Sequence, residues 1–199
     1  DILMDTPINK PALLRQTFEL GASYSGELLS LNKMLGSLQD AGNTVTLAGY
    51  INLLNESGLL CGLQKFSIDN ARRKASIPKL QVYNNALKMV YNSSSFEQSL
   101  IDRKHWGRIF ESGIGAYLVS QAFTHRSEVY YWRERNDEVD FILRKNNSLI
   151  AIEVKSNAEK NTSGLDKFRQ NFNPDKAFIV GEGGITPEEF LSMNIKKLF

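Results

Sequence analysis

Cysteine is nearly absent from this sequence. Cys61 stands alone among 199 residues, which excludes an internal disulfide framework and fits a protein of the reducing cytoplasm. Histidine is scarce as well, with two, so a four-ligand structural zinc site would have to borrow carboxylates. No apolar run approaches the roughly 20 residues of a membrane helix, and there is no secretory signal, so no membrane partner is expected. An excess of one charge is also missing. The formal net charge is +2; residues 1–103 carry ten Lys/Arg and nine Asp/Glu, and residues 104–199 carry fourteen and thirteen. Neither half is a polybasic arm, so a nucleic-acid partner would have to be held by local patches. No G-x-x-x-x-G-K-[ST] motif occurs, and the Gly-rich "IVGEGGIT" at 179–186 lacks the G-x-G-x-x-G spacing and reads as a loop.

What the chain does have is core material. Hydrophobic residues make up 42% of it, with 11 Phe, 7 Tyr and 2 Trp, enough for one or two packed domains. The first part reads as helical. Pro11–Leu20 carries apolar Leu13, Leu14, Phe18 and Leu20, and Ser25–Leu38 follows with Leu28, Leu29, Leu31, Met34 and Leu35 on a broad apolar face. After the turn "DAGNT", a third helix capped by Thr44 runs to about Glu56, with Gly58 at its C-terminal end. Two strand-like runs follow, "LLCGLQKFS" and "PKLQVYN". The polar loop between them carries Arg72, Arg73 and Lys74 in succession.

Helix, helix, turn, helix and a hairpin with a basic tip is an order that resembles a winged helix. Arg72, Arg73 and Lys74 would be its nucleic-acid-binding residues, reaching phosphates more than bases. The third helix carries no Lys or Arg between Thr44 and Asn55, so a packing or docking role for the same fold stands beside DNA binding. The Ser-rich stretch within 91–106 reads as a linker or short helix. Beyond it the pattern changes to helix (Gly107–Gln121), strands at about 128–133, 138–144 and 149–155, then helix, strand and helix. The expected class is α+β: a winged-helix-like domain over 1–90 and an α/β domain with a mixed central sheet over 104–199.

The functional signal lies in "EVDFILRKNNSLIAIEVKS" at 138–156. Two apolar runs carry acids where buried strands rarely do. A strand period of two puts Val139, Phe141 and Leu143 on one face and Glu138, Asp140 and Ile142 on the other; Ile150, Ile152 and Val154 then oppose Ala151, Glu153 and Lys155. A two-residue turn at Asn146-Asn147 pairs residues whose numbers sum to 293, which sets Asp140 opposite Glu153 and Glu138 opposite Lys155. Facing carboxylates repel unless a cation lies between them, and Mg²⁺ or Mn²⁺ suits such a pair. The plainer alternative is an exposed hairpin face with an ordinary Glu138–Lys155 pair.

Asp, then Glu-x-Lys thirteen residues later on the next strand, resembles the PD-(D/E)XK nuclease superfamily, with the restriction-endonuclease and Holliday-junction-resolvase fold. Val139 stands where the family name has Pro. The resemblance implies that Asp140, Glu153 and Lys155 are catalytic, and that Asp140, Glu153 and the helical acid Glu111 bind the metal. Glu138 would be an accessory acid or the partner of Lys155. The metal would activate water and Lys155 would orient it or stabilise the developing charge. Arg133 and Arg135 read as solvated loop charges. A wider resemblance runs through "NKPALLRQTFELGASYSGELLSLNKMLGSLQDAGNTVTLAGYINLLNESGLL", "PKLQVYNNAL", "RIFESGIGAYLV", "YYWRERNDEVDFIL" and "IAIEVKS". It is similar to the C-terminal region of a family of prokaryotic AAA-type ATPases. It implies that ATP acts only through a preceding nucleotide-binding module, absent from this chain, which begins at Asp1 without Met. Two functions follow: a Mg²⁺-dependent nuclease, or a non-catalytic nucleic-acid- or protein-binding module that keeps the nuclease fold and couples to the ATPase. Homo-oligomerisation is a third, purely structural role.

Overall fold

The computed structural model describes residues 8–40, 42–69, 71, 73, 75–157 and 163–199, the side chain of Lys197 excepted. The class is mixed α and β: among the described residues there are eight α-helices, a two-stranded sheet and a mixed four-stranded sheet. Helix α1 (Pro11–Ser23) begins on a proline, whose fixed φ and missing N–H suit the first helical turn. Helix α2 covers only Leu31–Ser37, with the Ser30 hydroxyl accepting from Lys33 N. The helix expected from Ser25 onward is therefore corrected. Gly26 has φ +85°, and the chain through Leu29 runs extended beside the later strand β2, with Gly26 N donating to Leu80 O at 2.7 Å and Leu80 N to Glu27 O at 3.0 Å. Helix α3 (Thr44–Glu56) is capped one residue earlier than expected, by Asn43, and ends before Gly58 at φ +67°.

Strands β1 (Leu60–Leu63) and β2 (Lys79–Val82) pair antiparallel, and α1, α2 and α3 bury Leu13, Leu14, Met34, Leu47 and Leu54 against them. Short helices α4 (Asn85–Val90) and α5 (Phe96–Ile101) lead to α6 (Arg103–His125). This long helix starts four residues before the expected Gly107 because the Asp102 carboxylate accepts from Lys104 N and His105 N. Strands β3 (Glu128–Glu134), β4 (Asp137–Lys145), β5 (Ser148–Lys155) and β6 (Lys176–Gly181) form the larger sheet in that order. The first three are antiparallel and β6 is parallel to β5. Helix α7 (Ser163–Phe172) precedes β6; α8 (Pro187–Ser192) and a 3₁₀ turn (Ile195–Lys197) close the chain.

Both faces of this sheet are covered, which is why its strands read as nearly continuous apolar runs. Phe141, Leu143, Ile150, Ile152 and Val154 pack with Ile114, Leu118 and Val119 of α6 and with Phe190. Ile142, Ala151, Val139 and Trp132 pack with Leu165 and Phe168 of α7 and with Phe66. Cys61 and Leu63 of β1 belong to the first of these cores, so the small hairpin sits directly on α6. Gln81 Nε2 donates to Ser112 O at 2.9 Å, and the Ser25 and Ser112 hydroxyls lie 2.8 Å apart. Close approach is possible because α6 presents Gly115 there. A Cβ at that position would lie 2.6 Å from Gln81 Cδ and 2.7 Å from Phe141 Cζ. Gly115→Ala is therefore expected to destabilise the protein by about 1–3 kcal/mol despite the gain in helix propensity. The urea midpoint should fall with unchanged slope, and an equal or higher midpoint would contradict this packing.

Candidate functional site

The β4–β5 hairpin turns at Asn146-Asn147, with Asn146 at φ +53°, and pairs Phe141 with Ile152, Ile142 with Ala151, Leu143 with Ile150 and Lys145 with Ser148. That is the register expected from the sequence. The face assignment is not. Between Tyr130↔Ile142 and Trp132↔Val139 the β3–β4 register shifts by one, so Asp140 and Phe141 together oppose Tyr131. This bulge puts Val139 in the α7-side core with Ile142, while Phe141 and Leu143 stay on the α6 side.

Asp140 lies at this bulge, 4% exposed, beyond the last regular pair of β4 and β5. Its Oδ2 accepts from Val154 N at 2.8 Å. A further contact comes from a residue the sequence did not single out, Lys79 at the start of β2. The Lys79 ammonium forms an ion pair with Glu111 of α6, donates to Asp140 O at 3.1 Å, lies 3.9 Å from Asp140 Oδ1 and stands 4.5 Å from the Phe141 ring centroid. The Lys79 side chain is 7% exposed and that of Glu111 15%. Burial by itself lowers the pKa of Lys79, but the carboxylates of Glu111 and Asp140 outweigh it and hold the value above the ordinary 10.5.

Glu153 and Lys155 are buried as well, at 4% and 7% exposure. Strand alternation places them on the side of Ala151, because Ile152 and Val154 on either side of Glu153 both face α6. Glu138 is half exposed and stands 4.0 Å from Arg133 Nε rather than against Lys155. Asp140 and Glu111 are thus brought together around an ammonium group. Among the described residues no group of three or more His, Cys, Asp or Glu side chains is disposed to hold a metal ion. The carboxylate chemistry would suit Mg²⁺ or Mn²⁺, but the arrangement around Lys79 does not fit one.

Above this cluster lies a cleft of about 410 Å³, bounded by Gly26–Leu28, Lys79, Arg108, Glu111, Tyr131–Arg133 and Glu138–Asp140. Arg108 is paired with Glu27 at 3.1 Å on its rim. Lys79, Arg108 and Arg133 face Glu27, Glu111, Glu138 and Asp140, so the charges nearly cancel and the cleft is no anion funnel.

Comparison with known families divides the chain in two. Residues 106–190 match a domain of unknown function, DUF4143. Residues 1–95 match a second domain of unknown function, DUF8612. No curated protein and no solved structure matches the chain. The DUF4143 match begins in α6 and ends in α8, and it contains Glu111, Asp140, Glu153 and Lys155; the DUF8612 match contains Lys79. The buried ion pair therefore joins the two matched segments.

Of the three basic residues expected at a wing, Arg72 and Lys74 lie outside the described residues. Arg73 folds back onto β3, donating to Tyr130 Oη at 3.2 Å with its guanidinium 5.7 Å from that ring's centroid. Tyr130 also takes a hydrogen bond from Arg144 and gives one to Glu128. Among the described residues no helix is long and apolar enough to cross a membrane.

Proposed function

We propose that this chain is a non-catalytic docking module on a nuclease-type fold, with a winged-helix-like first half, and that it couples to the nucleotide-binding module of an AAA-type ATPase. The observation that carries this reading is the Lys79 ammonium between Glu111 and Asp140, two of the three carboxylates that the nuclease resemblance assigns to the metal. Three further features support it. Helix α3 has no basic side chain to offer a base or phosphate. Arg73 is engaged by Tyr130. The cleft over the acids has no excess of positive charge. The ATPase partner comes from the sequence resemblance.

A catalytic reading is favoured by one observation, the burial of Asp140, Glu153 and Lys155 together. Burying charges costs several kcal/mol each, and groups kept at that cost gather at functional sites. The two readings separate in one assay. The chain is incubated with labelled single- and double-stranded DNA and RNA in Mg²⁺ or Mn²⁺, and binding to a separately made ATPase module is titrated. The docking reading predicts intact nucleic acid and saturable binding of the ATPase module. It further predicts nucleic-acid affinity and salt dependence that do not change when Arg72, Arg73 and Lys74 are neutralised together. Cation-dependent cleavage that disappears in Lys155→Ala would establish the nuclease instead.

A further inference from the structure

We propose that Lys79 is a tethered cation standing in for a divalent one, so that the segment carrying β2 keeps the acids of the nuclease-like half closed to metal. This deepens the docking reading and rests on it. An ammonium has three donors and one charge. Here it meets the Glu111 carboxylate, the Asp140 backbone and side-chain oxygens and the Phe141 ring. The group is held from its backbone too. Lys79 pairs with Leu63 across the hairpin and bridges to Leu28 on its other side, so a shift of β2 would carry the ammonium with it. Glu111 approaches from α6 and Asp140 from the β4 bulge, which makes the contact the meeting point of three separately placed elements. A second cation near these oxygens would meet the Lys79 charge at close range. Without it, the poorly solvated carboxylates of Glu111 and Asp140 would lose one ammonium contact and gain affinity for a hard divalent ion.

The test compares wild type, Lys79→Met and the double variant Lys79→Met/Glu111→Gln, melted in zero to 10 mM Mn²⁺. The expected pattern is a flat wild type, a Lys79→Met melting temperature that rises by roughly 5–10 °C once Mn²⁺ reaches about a hundred times its dissociation constant, and a flat double variant. If Lys79→Met is unfolded without cation, the same titration is read as recovery of near-ultraviolet circular dichroism, and recovery has the same meaning. A flat Lys79→Met beside a flat wild type, or no recovery together with a flat Lys79→Gln, overturns the tethered-cation inference and leaves the docking reading standing. An equal response in the double variant also overturns it, since Mn²⁺ then binds elsewhere. A wild type that responds as strongly as Lys79→Met overturns the docking reading, because the site was open to metal from the start.

Discussion

Lys79→Met is expected to lower stability by about 3–5 kcal/mol, because it removes the cationic partner of a buried ion pair. For a chain of this size that is a fall of roughly 10 °C in melting temperature. The side chains of Lys79, Glu111 and Asp140 are 7%, 15% and 4% exposed, so solvent cannot make good the loss. Adding Glu111→Gln should recover a large part of it, since the double change removes both charges rather than one. The pH dependence gives a second signature. The pKa of Lys79 is raised in the fold, so its contribution is complete below the ordinary 10.5 and declines only as pH climbs through the raised value. The difference between wild type and Lys79→Met, measured by urea unfolding, should therefore be constant from pH 7 to 9. A difference that shrinks across that interval, or a Lys79→Met variant as stable as wild type, would show that the contact contributes little.

Substitution at Asp140 is expected to grade by how much of the side chain's work survives. Asp140→Ala removes the acceptor for Val154 N–H and the carboxylate beside Lys79, so a loss of about 3–5 kcal/mol is expected. Asp140→Asn keeps an oxygen for Val154 N and loses only the charge, so about 1–2 kcal/mol is expected. From the strand pattern alone, relief of carboxylate repulsion would let Asp140→Asn stabilise a non-catalytic protein. The Lys79 contact reverses that sign. Lys79→Met combined with Asp140→Asn should cost less than the two single losses together, by about 0.5–3 kcal/mol, since the residues share one contact. Urea midpoints of the four proteins measure this, and strict additivity would mean that Lys79 and Asp140 do not interact.

The parts of the fold that were legible in the sequence are those governed by local rules. The Asn146-Asn147 turn fixed the register of β4 against β5, and Gly58 marked the end of α3. The bulge at Asp140 and Phe141 was hidden, because one extra residue inside the run Val139–Leu143 does not disturb its apolar character. Gly26 broke a helix whose hydrophobic spacing continued through it. Lys79 was hidden for a different reason. Lys79 and Gln81 alternate with Leu80 and Val82, a pattern that ordinarily means one wet face of a hairpin. Here that face lies against α6, where Ser112 and Gly115 allow a close approach. The small residues of "ESGIGAY" were the available signal, and only the tertiary arrangement shows what they accommodate.

The central claim is that Lys79 fills the place a catalytic metal would take. Calorimetric titration of Mn²⁺ into the wild-type chain tests it most directly. No saturable binding is expected at millimolar cation, for the wild type and for Asp140→Asn alike. One saturable site in the wild type that is weakened or lost in Asp140→Asn would contradict this and favour a metal-binding site at Asp140.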